Sequence, residues 1–186
     1  MTRQIITYGA VPVPYVAVWS DEEAAGMLVA DCPHSGRPAV CNVDKRGSGR
    51  PVFGKPHMGR QREVIAKDMC DLCARPLKGR TRVSLSHAKA QMSGNGLFVM
   101  QVEAMMHKEC ALTSMKHCPS LKRDIKAGTL HVRQVLKYRV LFAQLTRAAV
   151  AQFCGKGQDG VVGHAKVELL KWKDRDLAWL EAAGAE

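Results

Sequence analysis

Cys70-Asp71-Leu72-Cys73 and the later stretch His107-Lys108-Glu109-Cys110 decide how this chain is organised. The C-x2-C pair predicts a tight turn, or knuckle, that points two thiolates at one spot. An H-x2-C pair in the first turn of a helix places imidazole and thiolate on one face, because residues three apart are neighbours there. A structural zinc ion takes four such ligands in a tetrahedron. We therefore predict a Zn²⁺ site formed by Cys70, Cys73, His107 and Cys110.

The residues between the two pairs predict a hairpin followed by a helix. Residues 81–86 alternate apolar and polar side chains, as a half-buried strand does. Residues 93–96 contain Asn-Gly, a strong hairpin signal, and residues 97–102 form the expected returning strand. A helix is expected over residues 104–117, ended by Pro119. The predicted fold class is α+β: a small treble-clef-like zinc module of knuckle, β-hairpin and helix, embedded in a mixed domain. In the competing interpretation, the cysteines are buried small hydrophobes.

The module resembles a group of small, uncharacterised phage and bacterial proteins. Three patterns carry the resemblance: Cys70-x2-Cys73-x2-Pro76-Leu77, His107-x2-Cys110-Ala111-x2-Ser114 and Cys118-Pro119-x-Leu121. They cover residues 70–121. The resemblance implies the same four ligands and a cytoplasmic phage or bacterial setting, and it implies no particular activity.

Composition is consistent with a basic cytoplasmic protein. The 186 residues are 46% hydrophobic, and no apolar run reaches the length of a membrane span. The N-terminus lacks the pattern of a signal peptide. In the reducing cytoplasm, seven cysteines beside seven histidines favour metal binding over disulfides. Residues 32–147 hold 22 basic and 7 acidic residues, whereas the two ends together are mildly acidic. A basic centre of this kind predicts an anionic partner such as nucleic acid.

We divide the chain into four segments: an N-terminal extended segment and short helix (1–31), a basic Gly/Pro-rich loop (32–62), the zinc module (63–121) and a C-terminal region (122–186). Ser20 to Glu23 form a predicted capping box that begins a helix over residues 21–29. The glycines and prolines of residues 32–62 predict a long loop or mobile arm. Cys32, His34, Cys41 and His57 within it are candidates for a second metal site, although their spacing matches no established ligand pattern. Cys118 is a candidate fifth ligand of the main site, or a residue packed under the helix end.

The C-terminal region is expected to pack on the zinc module. Residues 121–128 are predicted to be a basic connector, and residues 164–183 a terminal helix with an apolar stripe. Residues 129–142 are predicted to form one long strand, or two strands with a tight bend, with cations on the outer face. A helix is the competing prediction for this stretch, because Leu141, Leu145 and Ala148 also fit helical spacing. The candidate contacts with nucleic-acid phosphates lie in the arm, the zinc module and this strand. They are Arg37, Lys45, Arg46, Arg50, Lys55, Arg60, Arg62, Arg80, Arg82, Arg133 and Arg139.

Two other functions are consistent with parts of the sequence. The chain is alternatively a protein-interaction module that docks on and inhibits or redirects a host protein. His87, Asn95 and His107 also stand in the order of the catalytic residues of HNH-type nucleases, which are treble clefs. That hypothesis conflicts with the use of His107 for zinc, and Asn95 is explained by the hairpin turn. No other catalytic set is visible, and zinc with four protein ligands has no open position for chemistry.

Overall fold

The computed structural model describes residues 5–94 and 96–182. Twelve strands are defined in this part of the chain: β1 (Thr7–Tyr8), β2 (Val11–Pro12), β3 (Ala17–Trp19), β4 (Met27–Cys32), β5 (Arg37–Asn42), β6 (Pro51–Pro56), β7 (Arg82–Ser86), β8 (Gln91–Ser93), β9 (Gly96–Gln101), β10 (Met106–His107), β11 (His131–Gln144) and β12 (Val162–Arg175). Six helices accompany them: α1 (Ser20–Ala24), α2 (Met58–Ala66), α3 (Lys108–His117), α4 (Pro119–Lys126), α5 (Arg147–Cys154) and α6 (Leu177–Glu181). The fold is a mixed α+β arrangement, as predicted.

One sheet contains eight of the strands. Its main path runs β10-β7-β11-β12-β5-β4, and β9 pairs with β12 and β8. The ribbon of β11 and β12 forms its centre, because these two 14-residue antiparallel strands pair along nearly their whole length. The strands β7 and β9 were predicted to form one hairpin. Instead β9 folds back on β8, and β7 pairs with β10 and β11. Asn95, the predicted turn residue, lies outside the described residues.

The prediction of a C-terminal helix over residues 164–183 is wrong for most of this range. Residues up to Arg175 belong to β12, only Leu177–Glu181 is helical, and Ala183 lies outside the described residues. The local signal was ambiguous, because Ala165, Val167 and Leu169 also alternate with more polar residues. All three are fully buried against the core. Pairing with β11 therefore overrides the helix propensity of the intervening Lys, Glu and Leu residues.

The prediction that residues 32–62 form a long loop or mobile arm is also wrong. This stretch contains β5, β6 and most of α2. Prolines are tolerated there because Pro51 and Pro56 are the first and last residues of β6. Gly49 lies in the connection between β5 and β6 with φ +79°, and a Cβ there would stand 2.0 Å from the hydroxyl of Ser20. Glycine is therefore required where this connection crosses the start of α1.

Two shorter predictions also need correction. The first helix ends at Ala24, and Trp19 rather than Ser20 precedes it, with the Glu22 carboxylate accepting a hydrogen bond from the Trp19 backbone N–H at 2.8 Å. Residues 121–128, predicted to be a connector, belong largely to α4. Its first residue is Pro119, a position that proline favours because no intrahelical N–H is needed there. Pro119 therefore separates α3 from a second helix.

A single large core joins several predicted segments. It contains Tyr15 near the N-terminus, Cys70 of the knuckle, Val83 of β7, Leu169 of β12 and Leu180 of α6, all buried. The knuckle is thus packed against the central ribbon. Residues of the candidate metal site are part of the main core of the protein.

Candidate metal centre

Backbone hydrogen bonds form the knuckle that carries the first two cysteines. The Ala74 N–H donates to the Cys70 carbonyl at 2.8 Å, and the Cys70 N–H donates to the Arg75 carbonyl at 2.9 Å. Ala74 has a φ of 54°, which turns the chain sharply after Cys73. Leu72 between the cysteines is buried and holds the turn on the core. Both thiols therefore point inward.

The second pair stands where β10 joins α3. Pairing of β10 with β7 aligns His107 with Arg82, and α3 begins at the next residue, Lys108. His107 has extended backbone angles and caps the helix, whereas Cys110 is its third residue. The imidazole and the thiol consequently lie within one turn of each other, as the H-x2-C spacing predicts.

The structure brings all four predicted ligands together. One ligand atom from each of Cys70, Cys73, His107 and Cys110 lies within 4.8 Å of every other, and all four residues are buried. The Nδ1 atom of His107 is 3.4 Å from the Cys73 sulfur and 3.8 Å from the Cys110 sulfur. In tetrahedral zinc sites with bonds of about 2.0–2.3 Å, neighbouring ligand atoms stand roughly 3.5–3.8 Å apart. The cluster can hold a metal ion, and its donor set is consistent with zinc.

Two outer contacts orient these ligands. The Nε2 atom of His107 lies 3.0 Å from the Pro76 carbonyl oxygen, so the N–H at this position leaves Nδ1 as the ligand atom. The Arg75 Nε–H donates to the Cys73 sulfur at 3.5 Å. Such contacts fix the tautomer of a ligating histidine and add positive charge beside a thiolate. Sequence reasoning missed Arg75, although a basic residue directly after the knuckle is a usable signal.

The electrostatics of the cluster favour thiolate. Hydrogen bonds from Cys110 and Cys70, together with contacts to His107 and Arg75, lower the pKa of Cys73 far below its ordinary value. The same sulfur atoms raise the pKa of His107 to about 10, first through hydrogen bonding with Cys70 and Cys73. Without a metal, a proton on His107 therefore balances the thiolate charge. A divalent cation at the same point would replace this proton, so metal binding would release protons.

The remaining cysteines lie outside this cluster. Cys118 is the shared cap between the end of α3 and the start of α4, and it lines an apolar cavity of about 320 Å³. Cys32, His34, Cys41 and His57 line a different cavity, of about 200 Å³. Their ligand atoms do not converge on one point within the described residues. The second metal site suggested by these four residues is therefore not formed.

His57 groups with Glu22 and Asp44 instead. The guanidinium of Arg60 already lies between the two carboxylates, with Nη1 2.7 Å from Glu22 and 2.6 Å from Asp44. Burial alone would raise the pKa of Glu22, but hydrogen bonds from Arg60 and from backbone N–H groups lower it to about 2. Burial and the charge of Arg60 lower the pKa of His57 to about 4. The position of a metal ion is thus already taken by an arginine.

The two histidines of the nuclease hypothesis have other partners. Both ring nitrogens of His107 are engaged, one with the cysteine cluster and one with Pro76. His87 is exposed and lies 3.0 Å from the Asp124 carboxylate. Asn95 lies outside the described residues. No ring nitrogen of His107 remains to bind a catalytic metal, which removes the central element of that hypothesis.

Three of the predicted nucleic-acid contacts are wrong, because Arg60, Arg62 and Arg133 are at most 3% exposed. Arg60 is paired with Glu22, Arg62 donates to the Gly163 carbonyl at 2.8 Å, and Arg133 donates to the Ala88 carbonyl at 2.8 Å. Each of these arginines is buried because its guanidinium donates to a carbonyl or carboxylate acceptor from a distant part of the sequence. None of the three is available to a phosphate.

The other eight predicted contacts divide into two groups. Arg46 and Arg82 are half-buried, the first over the Tyr15 ring and the second paired with Asp68. The exposed ones are spread over β5, the connection after it, β6, the region after the knuckle and β11. They are Arg37, Lys45, Arg50, Lys55, Arg80 and Arg139.

No family model matches the sequence, and the searches of curated proteins and of solved structures also give no match. Within residues 5–94 and 96–182, no helix combines the length and hydrophobicity required to cross a bilayer.

Proposed function

We propose that this chain is a small zinc-stabilised protein that binds nucleic acid through its exposed basic residues. The observation that carries the zinc assignment is the buried cluster of three cysteines and one histidine, with all ligand atoms within 4.8 Å of one another. Four protein ligands leave no open position on the ion, so zinc is structural. Knuckle, paired strands and the ligand-bearing α3 support a treble-clef-like arrangement.

Charge supports the nucleic-acid assignment. The net charge is +11, and six of the predicted basic contacts are exposed. Exposed cations bind phosphates chiefly by releasing counterions, and this contribution requires no particular base sequence. The resemblance over residues 70–121 adds a cytoplasmic phage or bacterial setting to the proposal.

Fluorescence anisotropy of the zinc-loaded protein with labelled DNA and RNA at 50 and 200 mM salt tests this function. Binding should weaken steeply as salt rises. Replacing Arg37, Lys45 and Arg50 together with glutamine should reduce the slope of log K against log salt by roughly 2 to 3, because each lost phosphate contact reduces it by about 0.7–0.9. Absence of binding at 50 mM salt would refute the nucleic-acid assignment and leave the zinc assignment standing.

A second candidate function is docking on a host protein. It is favoured by the apolar cavity of about 320 Å³ beside Cys118, whose walls include Val11, Pro12, Phe53 and Pro119. Phe53 is 48% exposed, so its ring adds apolar surface beside this cavity that a partner could cover. Apolar docking predicts binding that changes little with salt. The salt series therefore distinguishes the two functions.

A further inference from the structure

A second surface feature lies between the β8–β9 hairpin and the β11–β12 ribbon. It is an open groove of about 540 Å³ whose walls carry Lys137, Arg139 and Lys171 together with Leu97, Phe98 and Leu170. Of these, only Arg139 was among the predicted nucleic-acid contacts. The groove combines cationic and apolar side chains on one part of the sheet.

Two lysines face each other in this groove. Lys137 of β11 and Lys171 of β12 are directly paired across the antiparallel ladder, and both are exposed. Within the described part of the chain, neither ammonium group has a carboxylate at ion-pair distance, whereas Arg139 is paired with Glu168. Like charges directly opposite each other destabilise a sheet. An anion placed between the lysines would reverse that effect.

Irregular pairing turns apolar residues outward at the same place. The register shifts on both sides of Lys137, so that Leu136 and Leu170 have no direct partner in the ladder. Leu136 is 44% exposed and Leu170 36% exposed, although each follows a well-buried strand segment. Bulges of this kind commonly occur beside binding sites, where they redirect side chains.

The apolar wall of the groove indicates which chemical group would be attached to an anion bound between the lysines. Phe98 is partly exposed in the groove, and its neighbour Leu97 is 51% exposed. A base of a single strand can stack on such a ring, whereas a duplex keeps its bases paired inside. The groove therefore offers contacts for a phosphate group and for an unpaired base.

We propose that this groove binds single-stranded nucleic acid, with phosphates at Lys137 and Lys171 and a base against Phe98. This inference rests on the proposed nucleic-acid function. It adds that the nucleic acid is single-stranded and that it binds in this groove. A bound phosphate would offset the repulsion between the two opposed lysines beside the exposed leucines.

The test compares matched variants by anisotropy with a labelled 12-nucleotide oligothymidylate, the corresponding oligouridylate and a 12-base-pair duplex. The groove variant is Lys137→Gln/Lys171→Gln. The control is Lys116→Gln/Lys156→Gln, which removes the same charge from exposed positions on α3 and before β12. A third variant, Phe98→Leu, keeps all charges. Circular dichroism and zinc content confirm that each variant is folded.

Single-strand affinity should fall at least about 10-fold in the groove variant and less than about 2-fold in the control, and the salt slope should fall by about 1.4 in the groove variant. Phe98→Leu should weaken binding of single strands about 5-fold or more, from the lost stacking, and leave duplex binding unchanged. Comparison of the affinities for the oligothymidylate and the oligouridylate shows whether the groove prefers DNA or RNA.

Equal losses in the groove variant and the control, or tighter binding of duplex than of single strands by the wild type, would overturn the groove and leave the general nucleic-acid function intact. Failure of the wild type to bind any oligonucleotide would overturn both.

Discussion

At the scale of single residues, Cys73 has contacts both within the candidate metal cluster and outside it. Its sulfur lies close to His107 and accepts a hydrogen bond from Arg75. Hydrogen bonds from the neighbouring thiols of Cys110 and Cys70 lower its pKa, which favours a thiolate within the cluster. The short spacing within each ligand pair made all four ligands predictable. The contacts of Arg75 with Cys73 and of Pro76 with His107 were not predictable, because they form only in the folded knuckle.

Cys73→Ser should abolish stoichiometric zinc binding and destabilise the protein, because a serine hydroxyl does not replace a thiolate ligand. Zinc per protein, measured by mass spectrometry of metals, should fall from about one to near zero. Cys154→Ser is the matched control, since Cys154 ends α5 outside the cluster and this variant should retain zinc. A Cys73→Ser protein with full zinc content and wild-type melting temperature would contradict the site.

At the scale of secondary-structure elements, Arg60 joins α2 to α1 and β3. Its guanidinium donates to both carboxylate oxygens of Glu22 at 2.7 Å and to the Ala17 carbonyl at 2.8 Å. Gln61, its neighbour, donates to the carbonyls of Val102 and Ala165 and accepts from the Ala165 N–H. Buried polar groups that are paired across elements in this way specify how the elements meet. This network replaces the mobile arm that composition predicted.

Arg60→Met should destabilise the protein by about 3–5 kcal/mol, because it leaves the carboxylate of Glu22 buried with fewer partners. The double variant Glu22→Gln/Arg60→Met should recover part of this loss, as it removes the buried charge. Urea denaturation at pH 7 measures both. Equal stability of Arg60→Met and wild type would show that the pair is not formed.

The same pair gives a pH dependence with a defined sign. The pKa of Glu22 is about 2 in the folded protein against an ordinary value of 4.5, so its contribution is fully present above pH 4.5 and is lost as the pH falls towards 2. Wild type should therefore lose more stability than the double variant between pH 5 and pH 3. The comparison with the double variant would cancel an acid-induced loss of zinc, because both proteins keep the same four candidate ligands.

At the scale of the whole molecule, the metal cluster and the central sheet belong to one core. Cys70, Cys73 and Cys110 lie in the same buried cluster as Val135, Leu169 and Leu180 of the C-terminal region. A ligand that binds only the folded state stabilises everything that unfolds with its site. A metal ion bound at the cluster would therefore also stabilise the β11–β12 ribbon.

Removal of zinc with a strong chelator should lower the melting temperature by about 8–16 °C. Zinc at about 1,000 times its dissociation constant contributes about 4 kcal/mol, and each kcal/mol is worth about 2–4 °C at this chain length. Circular dichroism of the sheet should report one cooperative transition that added zinc restores. Unchanged sheet signal and melting temperature after chelation would show that the cluster is not needed for the fold.

Several elements were predictable from sequence because their signals are local. The strand at residues 82–86, the long strand after residue 130 and the helix carrying Cys110 follow from alternation, spacing and Pro119. The pairing of β7 with β10 was not predictable, since the β8–β9 hairpin lies between them in the chain. Strand pairing across such an insertion is set by burial of both strands against one core.

The sequence alone determined the four members of the candidate metal cluster, the mixed α+β class and the excess of positive charge, because residue type, short spacing and composition are local properties. Only the tertiary structure decided that β12 is a strand, that Arg60, Arg62 and Arg133 are buried, and that Lys137 faces Lys171. The partners of these residues lie up to about one hundred positions away, as when Arg62 reaches the Gly163 carbonyl. Pairing and burial over such separations depend on which surfaces the folded chain brings together.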